Sequence, residues 1–90
     1  MLVLVGSANR DERRWTDPDR FDIHRDEGQH TTFGYGLHFC LGAALARMEG
    51  RVALDEILNR FPDWEVDLAN SKLASTSTVR GWETLPAFVG

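Results

Sequence analysis

Ninety residues make at most one small domain or part of one, and a chain this short buries only about 60% of its unfolded surface, marginal without help. Hydrophobic residues at 42% and charged residues at 27% exclude a disordered or fibrous chain. The net charge of −4 comes from fourteen acids against ten bases, nine of them scattered arginines, and this excludes the basic stripe of a nucleic-acid binder.

The chain opens on Met1 to Val5, an apolar run with no basic residue before it. It is too short for a signal sequence or a membrane span and suits a buried strand. A strand at the first residue predicts a chain that begins in mid-domain. Gly6 to Asp11 is turn-like. Glu12 to Gln29 is rich in charge, carries Pro18 and Gly28 and has no sustained apolar period, so it reads as an irregular surface stretch. Trp15, Phe21 and Ile23 are its isolated apolar residues and are expected to pin it to a larger body, which makes it a packed loop and not a linker. Asn9 and Arg10 are expected to secure a turn by hydrogen bonds and salt bridges.

His30 to Cys40 mixes glycine with Phe33, Tyr35 and Phe39, a composition that allows tight backbone turns beside a flat apolar surface. From Leu41 the apolar residues Leu41, Leu45, Met48, Val52, Leu54, Leu58 and Phe61 recur at helical spacing, and Arg47, Arg51, Asp55, Glu56 and Asn59 take the other faces. Pro62 stops that helix at Phe61. Trp64, Val66 and Leu68 then alternate with acids as a half-buried strand does. Asn70 to Lys72 is a turn. Leu73 to Arg80 and Thr84 to Val89 are two further short extended pieces, the last pushed to an edge by Pro86. Trp64 and Trp82 are read as packing residues.

The only cysteine, Cys40, cannot close an internal disulfide, so a reducing, cytoplasmic setting is expected. It lies at the mouth of the predicted helix, where unpaired N–H groups and the helix dipole favour the thiolate. No Ser, Thr, Asp or Asn caps the helix here, so the sulfur is expected to accept the N–H groups of Leu41, Gly42 and Ala43. Gly42 in a first helical turn costs about 1 kcal/mol against alanine, which makes sense if a bulky planar group approaches the backbone there. Gly36 makes the same allowance on the other flank. Phe33 and Phe39 can exclude water from the sulfur, and His38 stands where an anionic group could be met. Together they suit a large flat apolar ligand with carboxylate arms.

Other readings of these residues are open. A lone cysteine between Phe39 and Leu41 is in general a buried core residue. Cys40 could also be a nucleophile or redox thiol activated by the helix end and His38. His24, His30, His38 and Cys40 number enough for zinc, although no Cys-x-x-Cys spacing supports it. Covalent c-type haem attachment lacks its Cys-x-x-Cys-His. Gly34-Tyr35-Gly36 fails the dinucleotide pattern, since Phe39 stands where the third glycine belongs.

The ten residues Phe33-Gly34-Tyr35-Gly36-Leu37-His38-Phe39-Cys40-Leu41-Gly42 favour one reading over these. They are similar to the cysteine-loop signature of the cytochromes P-450, Phe-x-x-Gly-x-His/Arg-x-Cys-x-Gly, at every fixed position. The resemblance extends through Ala8-Asn9-Arg10-Asp11, Asp17-Pro18-Asp19-Arg20-Phe21-Asp22, Ala46-Arg47-x-Glu49 and Arg80-Gly81-x-x-x-Leu85-Pro86, phrases of bacterial members, and so covers essentially the whole chain.

The resemblance implies a mainly α fold with small β elements, of which this chain is the C-terminal portion. As one partial domain over 1–90, it would hold a strand and packed loop at 1–32, the cysteine loop at 33–42, a helix at 43–61 and short strands at 62–90. It makes Cys40 the proximal iron ligand of haem b (iron protoporphyrin IX), His38 a propionate contact and Phe33 the ring that shields the sulfur. Gly36 and Gly42 shape the loop, and Gly34, Phe39, Leu41 and Ala46 complete the haem-binding set. The implied reaction is insertion of one oxygen atom of dioxygen into a small organic substrate, the thiolate donating electron density through the iron. A ferredoxin or a reductase would supply electrons, and Arg47 and Arg51 could meet an acidic donor. Neither nucleic acid nor membrane is an expected partner.

The resemblance also implies a distal helix with an acid and alcohol pair and an upstream Glu-x-x-Arg, and these ninety residues hold neither; Glu27-Gly28-Gln29-His30-Thr31 has the wrong residues for the former. The chain alone is therefore expected to be inactive. The rival reading is a non-catalytic haem-binding or structural remnant.

Overall fold

The computed structural model describes all 90 residues, and the chain divides into two compact units, Met1–Ala46 and Arg47–Gly90.

The first unit opens with a single helical turn, α1, Val5–Ala8. The expected strand at Met1–Val5 does not form. A strand needs a neighbour to take its N–H and C=O groups, and none pairs here. Instead Leu4 and Val5 offer their carbonyls along their own chain, to the N–H groups of Ala8 and Asn9 at 3.0 Å each.

The stretch from Glu12 to Gln29 is irregular, as its composition requires, and is held by side chains in place of a ladder. Arg25 donates to the carbonyls of Thr16, Asp17 and Arg20. Glu27 accepts the Thr16 N–H at 2.8 Å, and that backbone bond is the first cause holding its carboxyl below the ordinary range. Asp17 takes a φ of 47°, an unusual value that asparagine and aspartate tolerate better than other side chains. Of the three residues expected to pin the loop, only Trp15 is buried, at 7% exposure. Its indole donates to the Ala8 carbonyl at 3.2 Å, and the Arg14 guanidinium lies 4.4 Å above its ring, a cation–π distance. Phe21 and Ile23 are exposed.

Asn9 and Arg10 do secure this region. The Asn9 side chain bonds to Thr31 and Thr32, and Arg10 pairs with Asp19 at 3.8 Å. Beside them Arg13 binds both oxygens of Asp11 at 2.9 and 2.8 Å. These side-chain bonds lead the causes that lower Asp11 from 3.8 to about 2. A carboxyl depressed on folding contributes stability above its unfolded value and loses it as pH falls through its folded value. Acid titration followed by NMR should therefore leave the Arg13 Nε–H resonance nearly unchanged above pH 3.8 and shift it with a midpoint at about 2.

The long helix α2, Ala43–Arg60, runs from the first unit into the second and stops within a residue of the expected end. Phe61 still donates to the Ile57 carbonyl at 2.8 Å, and Pro62 disfavours helical geometry at Phe61 and cannot itself donate to continue the ladder. Ala43 is buried, whereas Leu45, Met48, Val52, Leu54, Ile57 and Leu58 are all 44–59% exposed. The helical period is present, but half of that apolar surface has no cover among these residues.

In the second unit β1, Trp64–Val66, pairs antiparallel with β4, Ala87–Val89, in the register Trp64↔Val89, Glu65↔Phe88 and Val66↔Ala87. Between them in sequence, β2, Lys72–Leu73, pairs antiparallel with β3, Trp82–Thr84. The two pairs are nested, joined by the Asp67 N–H to the Pro86 carbonyl at 2.9 Å. Lys72 and Glu83 form an exposed salt bridge at 2.7 Å. The two expected extended pieces are thus redrawn: Leu73 to Arg80 keeps strand only at its first residue, and Thr84 to Val89 is split between β3 and β4 at Leu85-Pro86. Proline has no N–H for a ladder, and here it contributes its carbonyl. The turn expected at Asn70 to Lys72 lies slightly earlier. Asp67 caps it by accepting from the Asn70 N–H at 3.1 Å and the Asn70 side-chain amide at 2.6 Å. Trp64 and Trp82 are half-exposed, at 46% and 47%.

Candidate functional site: the cysteine loop

Within the first unit the chain from Thr31 to Cys40 doubles back on itself. A turn closes by the Gly34 N–H to the Thr31 carbonyl at 2.9 Å, with Gly34 at a φ of +78°. Tyr35 is extended, and Gly36 at +72° turns the chain into a short 3-10 helix, Gly36–His38. The Phe39 N–H returns to the Gly36 carbonyl at 3.1 Å. Cys40 then donates to the Phe33 carbonyl at 2.7 Å, a short backbone bond that sets the cysteine opposite the first residue of the loop.

Both glycines occupy the left-handed region, where a side chain is strained. At Gly36 an added Cβ would meet nothing within 4 Å, so the cost of replacing it is conformational. Gly36→Ala should lower the urea midpoint by about 1 kcal/mol equivalent. The same change at Gly50, in the interior of α2 with open space around it, should raise it by a similar amount. Opposite signs for one chemical change would show that the loop conformation sets the demand for glycine.

The sulfur is presented, not buried: Cys40 is free and exposed, against the general expectation for a lone cysteine between apolar neighbours. Phe39 packs edge-on to Phe33 with ring centroids 6.4 Å apart, and the His30 ring lies 5.8 Å from Phe33 in a tilted contact. A Cβ at Gly42 would come 4.0 Å from the Cys40 Sγ, so the glycine keeps one flank of the sulfur clear. The helix begins three residues beyond the cysteine. The Ala43 N–H, expected on the sulfur, goes to the Cys40 carbonyl at 3.3 Å, because the intervening turn closes on backbone oxygen.

Phe33, Gly34, Gly36, His38, Phe39, Cys40, Leu41 and Gly42 therefore share one loop, with Tyr35, Leu37 and Leu41 fully or almost fully exposed around it. Ala46 lies one helical turn on, its N–H on the Gly42 carbonyl at 2.8 Å. The zinc alternative fails, since His24, His30, His38 and Cys40 do not converge and no group of three or more His, Cys, Asp or Glu is placed to hold a metal. What sequence reading missed is the contact of His30 with Phe33 and the reach of Asn9 to residues 31 and 32. Neither carries a signal in local spacing.

Exposed Cys40 thus follows the Phe33–Phe39 ring pair and precedes the start of α2, with Gly42 beside its sulfur. Comparison with known proteins gives the family. The Cytochrome P450 family model matches residues 1–84. The chain is 48% identical over 90 residues to Cytochrome P450 107B1 of Saccharopolyspora erythraea, covering 98% of this chain and 22% of that protein. It is 51% identical over 90 residues to Putative cytochrome P450 123 of Mycobacterium tuberculosis, covering 99% and 22%. Among solved structures, the tirandamycin C-bound P450 monooxygenase TamI superposes with a TM-score of 0.88 at 40% identity, over 96% of this chain and 22% of that one. The chain belongs to the cytochrome P-450 family, and it spans about a fifth of the length of these relatives. No helix is long and apolar enough to cross a membrane.

Proposed function

We propose that this chain supplies the haem-thiolate side of a monooxygenase site, with Cys40 as the proximal iron ligand of haem b. The observation that carries the reading is the exposed Cys40, held to the Phe33 carbonyl at 2.7 Å and flanked by a glycine at its sulfur. The residues fit the group: a soft sulfur donor, open space where a Cβ at Gly36 would stand, only the Cys40 sulfur within 4.0 Å of a Cβ at Gly42, and apolar surface from Phe33, Phe39 and Leu41. When bound, haem with a thiolate ligand supplies the cleavage of the O–O bond that oxygen insertion requires.

The chain's own part is to hold and tune. Cys40 would hold the iron through its sulfur. With haem in place, Phe33 and Phe39 would help to cover the sulfur, and His38 would offer an imidazole to a haem carboxylate. Gly34, Leu41 and Ala46 complete the haem-facing set. A small organic molecule is the substrate class, and a ferredoxin or a reductase delivers electrons, in a cytoplasmic setting. Residues 1–90 are read as one partial domain, and turnover requires further residues, since one loop and one long helix can cover only one face of a planar ligand.

The test is to load the purified chain with haemin, reduce it under carbon monoxide and record the spectrum. A Soret band at about 450 nm supports thiolate ligation; a band at about 420 nm, or none, overturns it.

A further inference from the structure

We infer that Asn9 is a positioning residue for the cysteine: its side-chain amide anchors the entrance of the loop to the end of α1 and so sets the carbonyl on which Cys40 hangs. The inference rests on the reading of Cys40 as a haem ligand, but its geometry stands without haem.

Three long-range bonds converge on one side chain. Asn9 Oδ1 accepts the Thr31 N–H at 2.8 Å and the Thr31 hydroxyl at 2.9 Å, across 22 residues of chain. Asn9 Nδ2 donates to Thr32 Oγ1 at 3.0 Å. Only a carboxamide of this length offers acceptor and donor together at that point. Asn9 is itself fixed, its N–H on the Val5 carbonyl at 3.0 Å, and the neighbouring Ala8 carbonyl accepts the indole of buried Trp15 at 3.2 Å.

From the two threonines the order passes directly to the cysteine. The Thr31 carbonyl closes the turn onto the Gly34 N–H at 2.9 Å, and Phe33, inside that turn, accepts the Cys40 N–H at 2.7 Å. On the other side His30 Nδ1 accepts the Thr32 N–H at 3.3 Å, and its ring packs against Phe33 at 5.8 Å. Loss of the Asn9 amide frees residues 31 and 32 together and leaves the Phe33 carbonyl without a fixed base. Other polar side chains nearby, such as those of Arg10 and Asp11, form surface ion pairs that do not touch the loop.

The test compares Asn9→Ala, Asn9→Asp and Thr32→Val by amide hydrogen exchange on the haem-free chain and by the ferrous–carbon monoxide spectrum of the haem-loaded chain. In Asn9→Ala the Thr31 and Cys40 amides should exchange at least about tenfold faster, the lower limit for loss of three net hydrogen bonds, while amides in the middle of α2 keep their protection. The thiolate band should lose at least about half its amplitude to the shorter-wavelength form. Asn9→Asp keeps the acceptor and should hold Cys40 within about threefold of the parent.

Faster exchange at Thr31 with no change at Cys40 or in the spectrum would make Asn9 a local turn former and overturn the inference. Should Asn9→Ala lose protection throughout, Thr32→Val decides. It removes one bond, and an unchanged Cys40 amide there likewise overturns the inference. If the parent shows no thiolate band, the haem reading fails, and the exchange at Cys40 still decides whether Asn9 positions the loop.

Discussion

Cys40→Ala should abolish the band at about 450 nm completely in the haemin-loaded, reduced, carbon monoxide-treated chain. No second thiol exists to take the place of the first, since the sequence holds one cysteine. The loop itself should survive, because the bond from residue 40 to the Phe33 carbonyl is made by backbone and alanine keeps the N–H. The Phe33–Phe39 edge contact should likewise persist in the variant. Loss of the band with an unchanged amide-exchange pattern would assign the signal to the sulfur. A Soret band that stays at the parent wavelength in Cys40→Ala would refute thiolate ligation. Cys40→His is an informative companion, because it offers a neutral nitrogen donor from the same backbone position. It should bind haemin yet give only the shorter-wavelength carbon monoxide band.

Trp15→Ala should produce the largest loss of stability of any single substitution in the chain, about 3–5 kcal/mol. Trp15 is the one large side chain that is buried; the other buried apolar residue is Ala43. Its removal takes away the apolar centre of the first unit, the indole bond to the Ala8 carbonyl and the surface on which the Arg14 guanidinium lies. For a small domain whose total stability is on the order of 5–15 kcal/mol, such a loss is a large part of the whole. Chemical denaturation should show the fall directly. Trp15→Phe, which keeps a ring but not the N–H, should cost about 1–2 kcal/mol. Equal losses in the two variants would mean that the indole bond, and not apolar volume, holds the residue. The same substitution bears on the cysteine, because the Trp15 bond lands on the residue before Asn9.

Several features were legible from the residues alone because they are local. The helix from Ala43 is specified by an apolar period that needs only its own chain, and Pro62 ends it wherever the helix lies. The cysteine loop is specified by glycines at positions that turn out to need positive φ, at Gly34 and Gly36, and by the fixed spacing of Phe33, His38, Cys40 and Gly42. That spacing alone led to the family. The strand character of Trp64 to Val66 was also visible in its alternation.

The rest depended on partners distant in sequence. Met1 to Val5 has strand composition, yet no strand pairs with it here, so its last residues satisfy their carbonyls in a helical turn. Trp15, Phe21 and Ile23 look alike as isolated apolar residues, but only Trp15 finds an apolar site with an acceptor for its polar atom. The pairing of β1 with β4 around β2 and β3 brings residues 64 and 89 together, and no short-range pattern encodes such closure. Asn9 reads as a turn residue in its own neighbourhood. Its link to the cysteine loop exists only because folding brings Thr31 and Thr32 within hydrogen-bond reach of its amide.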